Sequence, residues 1–159
     1  MNAPLYRLVY SSRDRMPGAG AAREASLRGI VQACRRNNRA ASLTGAIMLS
    51  AGSFAQAIEG PRTALEATFE RIQRDERHGE VSLLAYWPVP LRAFPRWSMA
   101  LVDPASRDLD PALLSGDALL DILLTHADLS ATEDRLPDRA ADWHPGRRGH
   151  REGALMSGV

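Results

Sequence analysis

Cysteine is almost absent from this chain of 159 residues, in which Cys34 is the only one. A single cysteine excludes an internal disulfide, so a reducing compartment is the simpler expectation. No stretch approaches the roughly 20 consecutive apolar residues that a membrane-spanning helix needs. The first eight residues also lack an apolar core of signal-peptide length. We therefore expect a soluble, cytoplasmic protein with no membrane partner.

A strong charge of either sign is also missing. Twenty basic and 19 acidic side chains leave a formal net charge of +1, which gives no electrostatic argument for a nucleic-acid partner, and we expect none. The sequence also predicts no metal site. Apolar residues make up 45% and charged residues 25%, which is ordinary for a globular protein. The length suits one compact domain with an appendage.

The chain does contain an alternation of strand and helix patterns. The first strand places Tyr6, Leu8 and Tyr10 on one face. The first helix has apolar residues at helical spacing. In chain order, the patterns predict a strand at 5–10, a helix at about 22–36, strands at 43–50 and 53–59 joined by a turn at 51–52, a helix that begins near Gly60-Pro61, and strands at 81–86 and 96–103.

This order, β-α-β-β-α-β-β, is typical of an α+β ferredoxin-like sandwich with both helices on one face of the sheet. We expect the first and third strands to be neighbours, and Trp97, Met99 and Leu101 to share one face of the fifth strand. A very apolar helix at 113–124 should cover the open face of the sheet. The predicted organisation is a domain at 3–104, a helical extension at 105–130 and a disordered, flexible tail at 131–159.

Two side chains do not fit an ordinary core. Gln56 lies between Phe54 and Ile58 on an apolar strand face, and a buried amide without partners costs roughly 1–3 kcal/mol. Tyr10 ends the first strand on the face that should adjoin Gln56. Each has a plain alternative, a core glutamine bonded to backbone and a packed core tyrosine.

Two polar pairs lie near the ends of the helices. Asn37-Asn38 follows the first helix, where asparagine commonly terminates helices. Arg77-His78 follows the second helix, where basic residues complement the helix dipole. Together with Tyr10 and Gln56, these pairs surround the space between the two helices. A flat heterocycle with polar edges and a phosphate tail would suit that space.

The sequence resembles the BLUF family, the sensors of blue light using FAD. Five stretches carry the resemblance over residues 5–102: LYRLVYSS at 5–12, RRNNRAASLTG at 35–45, SFAQAIEGPR at 53–62, RIQRDERH at 71–78 and FPRWSM at 94–99. Their order and spacing make the signature specific, whereas a lone N-N or E-G-P would carry no weight. The resemblance implies a photoreceptor that binds FAD without a covalent bond and is not an enzyme. The choice of FAD over FMN comes from the resemblance alone.

The resemblance also implies a role for particular residues. It makes Tyr10 the photoactive tyrosine and Gln56 the switching glutamine, so that light-driven electron and proton transfer would rearrange their hydrogen bonds to the flavin. It makes Trp97 and Met99 the two residues associated with signal output. The residues that it places around the cofactor are Asn38, Asn37, Ser12, Ile30 and Phe54 near the isoalloxazine, and Arg77 and His78 near the ribityl and phosphate portion.

Two other functions remain open at this point. One is a hydrolase of the acyl-phosphate type on the same fold, which would need a phosphate-cradling loop directly after the first strand. The other is a light-insensitive interaction module that has kept the fold. For a photoreceptor of this length, we expect no output domain, an unidentified downstream protein acting in trans, and a homo-oligomer built with the apolar helix at 113–124.

Overall fold

A computed structural model describes residues 3–102 and 108–130; the expected end of the fifth strand at 103 and the expected tail at 131–159 lie outside the described residues. The strands are β1 (Leu5–Asp14), β2 (Thr44–Ser50), β3 (Ser53–Pro61), β4 (His78–Val89) and β5 (Ala100–Val102). The helices are α1 (Gly20–Ala41), α2 (Arg62–Arg74) and α3 (Gly116–Ser130), with a 3-10 turn at Pro111–Leu113 before α3.

The five strands form one mixed sheet in the order β4-β1-β3-β2-β5. β1 pairs antiparallel with both β3 and β4, β2 pairs antiparallel with β3, and β2 pairs parallel with β5. The predicted ferredoxin-like architecture is confirmed, and so is the expectation that the first and third strands are neighbours. The two central strands therefore carry the residues on which the site depends.

The sheet separates two apolar cores. On one face, Leu8 and Ile58 pack with Val31 of α1 and Leu65 of α2. On the other face, the apolar side of α3 packs against the sheet, as the sequence predicted for the helix at 113–124. Leu119 and Leu123 of α3 are completely buried there, and burial of a leucine stabilises the fold by roughly 1.5–3 kcal/mol. Among the described residues, no helix has the length and hydropathy of a membrane span.

The turn between β2 and β3 is the hairpin that the sequence predicted. Ala51 and Gly52 have φ values of 49° and 75°. Positive φ at both central positions matches the right-handed twist of the paired strands. Gly52 adopts this conformation without a steric penalty, while Ala51 does so at some cost. The hairpin fixes the register that places Gln56 opposite Ile47 on β2.

Helix α1 is longer than the predicted 22–36. It ends at Ala41, and the left-handed conformation of the C-cap residue Ser42 (φ 60°, ψ 35°) closes the helix. In this cap, the Leu43 amide donates to the Asn38 carbonyl at 2.8 Å. Asn38 therefore lies within the last turns of the helix rather than beyond it. The cap fixes the backbone of Asn38, and a hydrogen bond to the Ser98 carbonyl holds its side chain.

The fifth strand is shorter than predicted, and Trp97 does not share a face with Met99 and Leu101 as we expected. Regular pairing covers only Ala100–Val102, while Trp97 makes a single bridge to β2 and the chain bends between them. Side chains alternate only along a regular pleated strand. Through the bend, Trp97 enters the core beneath α3, whereas Met99 enters the core beneath α1 and α2. The two predicted output residues thus lie on opposite faces of the sheet.

The connection from β4 to β5 is held by a buried carboxylate rather than by strand pairing. Glu59 of β3 is fully buried. It accepts hydrogen bonds from Arg7 Nε at 3.1 Å, from Thr44 Oγ1 at 3.4 Å and from the Ala93 amide at 3.0 Å. It also accepts a short bond from the Phe94 amide. These donors satisfy a charge that burial alone would strongly disfavour.

Arg92 strengthens the same attachment. Its guanidinium donates to Thr44 Oγ1 at 2.9 Å, to the Glu59 carbonyl at 3.1 Å and to the Ser42 carbonyl at 2.8 Å. The planar guanidinium can bond several oxygens at once, which a lysine could not do in the same geometry. The connection is therefore anchored to β2, β3 and the end of α1 just before the chain reaches Trp97.

We predict that Glu59→Ala lowers the free energy of unfolding by about 3 kcal/mol, because it leaves Arg7 Nε, the half-buried Ala93 amide and the buried Phe94 amide without their acceptor. Urea unfolding would measure the change. Glu70→Ala is the matched control, since Glu70 is an exposed glutamate of α2. Its effect should stay within about 0.5 kcal/mol. Equal losses in the two variants would contradict the structural role of Glu59.

Candidate functional site

A cleft lies between α1 and α2, with the sheet as its floor. Its empty volume is about 730 Å³, part of it open to solvent. β1 and β3 contribute Tyr10, Phe54 and Gln56 to its lining, and β2 contributes Ile47. The cleft therefore combines an apolar floor with hydrogen-bonding groups along its edge.

The polar centre of the cleft is a cross-strand pair. Tyr10 and Gln56 are directly opposite each other in the β1–β3 register. The Tyr10 hydroxyl donates a short hydrogen bond to Gln56 Oε1, and both side chains are at most 3% exposed. Burial raises the pKa of the Tyr10 phenol well above its usual 10, so the phenol is a proton donor at neutral pH. The oxygen of the Gln56 amide is bonded to a side chain, and not to backbone as the plain alternative required.

The other end of the Gln56 amide faces a methionine. Gln56 Nε2 lies 3.5 Å from Met99 Sδ. A thioether sulfur is a weak acceptor, and a carboxamide has two N–H donors. The structure thus gives Gln56 a strong partner on its oxygen and a weak one on its nitrogen. The Gln56 nitrogen can therefore still donate an N–H to a ligand in the cleft.

The two asparagines of α1 occupy different positions. Asn38 is 2% exposed, and its Nδ2 donates to the Ser98 carbonyl at 2.6 Å. Asn37 is exposed, although it also lines the cleft. Asn38 therefore connects the cleft to the segment that precedes β5, while Asn37 belongs to the mouth of the cleft.

His78 lines the cleft from the first residue of β4 and rests on Ser12. Its Nδ1 lies 2.8 Å from Ser12 Oγ. The His78 ring meets Phe54 edge-on, with ring centroids 6.0 Å apart. Burial lowers the pKa of the imidazole below its usual 6.5; Arg77 acts in the same direction and Asp75 opposes it. His78 is therefore a neutral hydrogen-bonding group above that pH.

The end of the cleft beyond α2 is charged. Arg77 Nε donates to Asp75 Oδ1 at 2.9 Å, and Arg77 Nη2 lies 2.5 Å from Asp75 Oδ2. This contact with Arg77 lowers the pKa of the Asp75 carboxyl. Arg71 also lines the cleft, and its Nη2 donates to Thr68 Oγ1 at 3.2 Å. Two guanidinium groups thus lie at one end, where they could meet an anionic part of a ligand.

The structure brings most of the predicted site residues into one cleft. Ser12 does not line it but supports His78, and Trp97 and Met99 lie outside it. Metal ligands do not cluster anywhere in the described part of the chain. The predicted residues that line the cleft are Tyr10, Gln56, Asn37, Asn38, Ile30, Phe54, Arg77 and His78.

Sequence reasoning missed a second set of lining residues, most of them on the helices. A signal for them was present. On α1, positions 33 and 34 follow Ile30 at the spacing of one helical face, and 37 and 38 continue it. On α2, positions 68, 71 and 72 repeat the same spacing, and 75 extends it past the helix end. The missed residues are Ala33, Cys34, Ile47, Thr68, Arg71, Ile72 and Asp75.

The family model described as "BLUF: Sensors of blue-light using FAD" matches residues 5–100, which is more than half of the chain. The chain belongs to the BLUF family. BLUF domains sense blue light with a bound FAD, and the domain is a photosensor module that is not itself catalytic. The predicted family, the function of blue-light sensing and the FAD cofactor are thereby confirmed.

Solved BLUF structures agree with the fold. The dark-state structure of BlrB is 32% identical, with a TM-score of 0.67 over 79% of this chain and 96% of that chain. The photo-activated state of BlsA is 25% identical, with a TM-score of 0.70 over 80% of this chain and 98% of that chain. A curated relative, photoactivated adenylate cyclase subunit beta of Euglena longa, is 29% identical over 99 residues. That match covers 62% of this chain but only 11% of the relative.

The acyl-phosphate hydrolase is not supported. β1 extends to Asp14, and the loop that follows has no free anion cradle, because the Met16 amide donates to Asp14 Oδ1 at 2.8 Å. Arg23, which could otherwise bind a phosphate, forms an ion pair with Asp14. A carboxylate at this position would repel a phosphate.

The residues of the cleft fit FAD. An isoalloxazine is flat, apolar on its faces and polar along one edge, which matches the apolar floor and the amides of Gln56, Asn37 and Asn38. Arg71 and Arg77 also line the cleft and could meet the diphosphate, with the charge of Arg77 partly offset by its ion pair with Asp75. The donor set therefore agrees with the cofactor that defines the family.

We predict that His78 makes folding pH-dependent. Its pKa is lower in the folded chain than the unfolded value near 6.5, so the unfolded state binds more protons as the pH falls below 6.5, and stability decreases. Urea unfolding at pH 7.5 and 5.5 should show a smaller loss in His78→Gln than in the wild type. The same loss in both proteins would contradict this assignment.

Proposed function

We propose that Tyr10 and Gln56 are the light-driven switch of this blue-light sensor. The observation that supports this most directly is their short, buried hydrogen bond in the floor of the cleft. A pair of this kind is not needed for packing, since a phenylalanine and an aliphatic residue would fill the same space. The imbalance at Gln56, with a strong partner on oxygen and a weak one on nitrogen, makes its amide easy to reorient.

Seven residues hold and orient the cofactor in this proposal. Asn38 and Asn37 bind the polar edge of the isoalloxazine, with Ile30 and Phe54 against its faces. Arg77 and His78 lie toward the ribityl and phosphate portion, and Ser12 acts through His78 by fixing its ring. FAD supplies the absorption of blue light and, once excited, a strong oxidant.

The chain supplies the electron and the proton. Tyr10 would give up an electron to the excited cofactor, and its phenolic proton would pass through Gln56, starting along the existing hydrogen bond. Both would return to Tyr10, so no covalent bond would form between the cofactor and the chain. What differs afterwards is the hydrogen bonding of the Gln56 amide, by rotation or tautomerisation. The raised pKa of Tyr10 keeps the phenol protonated before each cycle.

The signal leaves through the segment at 97–99. Met99 contacts Gln56 on one face of the sheet, and Trp97 packs beneath α3 on the other face. Because these residues are two apart, a shift of Met99 moves the backbone that carries Trp97. The packing of α3 then responds to the state of Gln56, which is a two-state packing change of the kind that interfaces support.

We further propose that the sensor acts through a separate partner protein and forms a homo-oligomer in the cytoplasm. The match to the Euglena longa relative covers 11% of that protein, so in that relative the matched segment is a small part of a much longer chain. Leu119 and Leu123 of α3 pack against the sheet, whereas Leu113, in the 3-10 turn before α3, is 82% exposed and offers an apolar contact for another chain. The single cysteine, Cys34, is free, in agreement with a reducing compartment.

We predict that Gln56→Leu keeps the flavin but abolishes the small, reversible red shift of its absorption after blue light. Leucine fills a similar volume and has no group that can donate to the cofactor. Visible spectra of dark-purified protein before and after illumination would measure this. Gln73→Leu, an exposed glutamine of α2, is the matched control and should keep the full shift.

Two results would overturn the proposal. A red shift that persists in Gln56→Leu would exclude Gln56 as the switch. A wild-type protein that binds flavin but shows no spectral change in blue light would favour the light-insensitive module instead.

A further inference from the structure

Arg35 holds the backbone of the output segment from outside the cleft. It lies on α1, is partly exposed, and is not among the residues that line the cleft. Its Nε donates to the Met99 carbonyl at 3.1 Å, although 64 positions separate the two residues. A hydrogen bond from a charged group to a carbonyl is stronger than a neutral one. The side chain thus ties helix α1 to the peptide group of Met99, directly before β5.

The peptide group that Arg35 holds belongs to Met99, whose side chain contacts Gln56. Met99 is fully buried, and its Sδ lies 3.5 Å from Gln56 Nε2. The next residue, Ala100, pairs with Ala46 as the first residue of β5. The chain around Met99 is therefore fixed on one side by the sheet and on the other by Arg35, together with the Asn38 bond to Ser98.

We propose that Arg35 is a positioning residue of the photocycle, which sets the contact between Met99 and Gln56 and thereby the lifetime of the illuminated form. This inference rests on the proposed function of Gln56. Arg35 does not touch the cofactor space and takes no part in the transfer of the electron or proton. It acts by stabilising the arrangement to which Met99 must return in the dark.

The direction of the effect follows from that role. Without the bond from Arg35, the resting position of Met99 is less stable relative to the illuminated one. If the dark form is less stable, recovery to it is slower, because the transition state for recovery already resembles the dark form. Because this bond is only part-buried and only part of its free energy appears in the barrier, its loss should change the rate by roughly three- to tenfold. The red shift itself should not change, because Tyr10, Gln56 and the cleft are intact.

The test compares Arg35→Leu with Arg36→Leu, a neighbouring exposed arginine of the same helix. Both proteins are loaded with FAD, illuminated and followed in the dark. We expect the same red shift in both, recovery roughly three- to tenfold slower in Arg35→Leu, and a wild-type rate in Arg36→Leu. Arg35→Lys, which keeps a charged donor, should recover at an intermediate rate. If Arg35→Leu does not bind flavin, Arg35→Gln and Arg36→Gln replace the pair.

A second measurement does not depend on light. The ¹³C resonance of the Met99 methyl group, assigned with Met99→Leu, should shift or broaden in dark Arg35→Leu and stay in place in Arg36→Leu. A wild-type recovery rate together with an unmoved Met99 resonance in Arg35→Leu would overturn the inference and leave the Gln56 switch intact. A wild-type protein without any photocycle would instead overturn the proposed function.

Discussion

The antiparallel register between β1 and β3 is the constraint on which the rest of the molecule depends. It places Tyr10 directly opposite Gln56 at the centre of the sheet. Because side chains alternate along a strand, a slip of one residue would turn one member of the pair into the core beneath α3. The register is held on both sides, by the β2–β3 hairpin and by β4. The cleft between α1 and α2 then has its hydrogen-bonding pair in the floor.

A second constraint acts on the chain that leaves the site. The connection after β4 lacks strand pairing, so its position depends on the buried Glu59 carboxylate and on Arg92. Beyond Phe94, the chain passes from one face of the sheet to the other within the segment at 97–99. Rigid anchoring upstream and regular pairing in β5 confine any rearrangement to this short segment. Because the rearrangement is confined, a change in the hydrogen bonds of the Gln56 amide would alter the packing of α3.

Local patterns were sufficient for much of the fold. The alternation of Tyr6, Leu8 and Tyr10 identified the face of β1, and the turn at Ala51-Gly52 identified the hairpin. The cleft was predicted less completely, because Thr68 and Arg71 look like ordinary surface residues of an amphipathic helix. The prediction that Trp97 shares a face with Met99 was wrong, because alternation was extended through a bend, near which Glu59 and the bridge to Gly45 hold the chain.

The sequence by itself determined the order of the elements, the two-faced sheet and the family, because periodicity and spaced motifs are properties of short stretches of chain. Only the tertiary structure decided which groups meet. The contacts of Gln56 with Tyr10 and Met99, and that of Arg35 with Met99, join residues 43 to 64 positions apart. Such contacts depend on strand order, register and the direction of each side chain. Those quantities are set by packing across the whole domain, and no local pattern contains them.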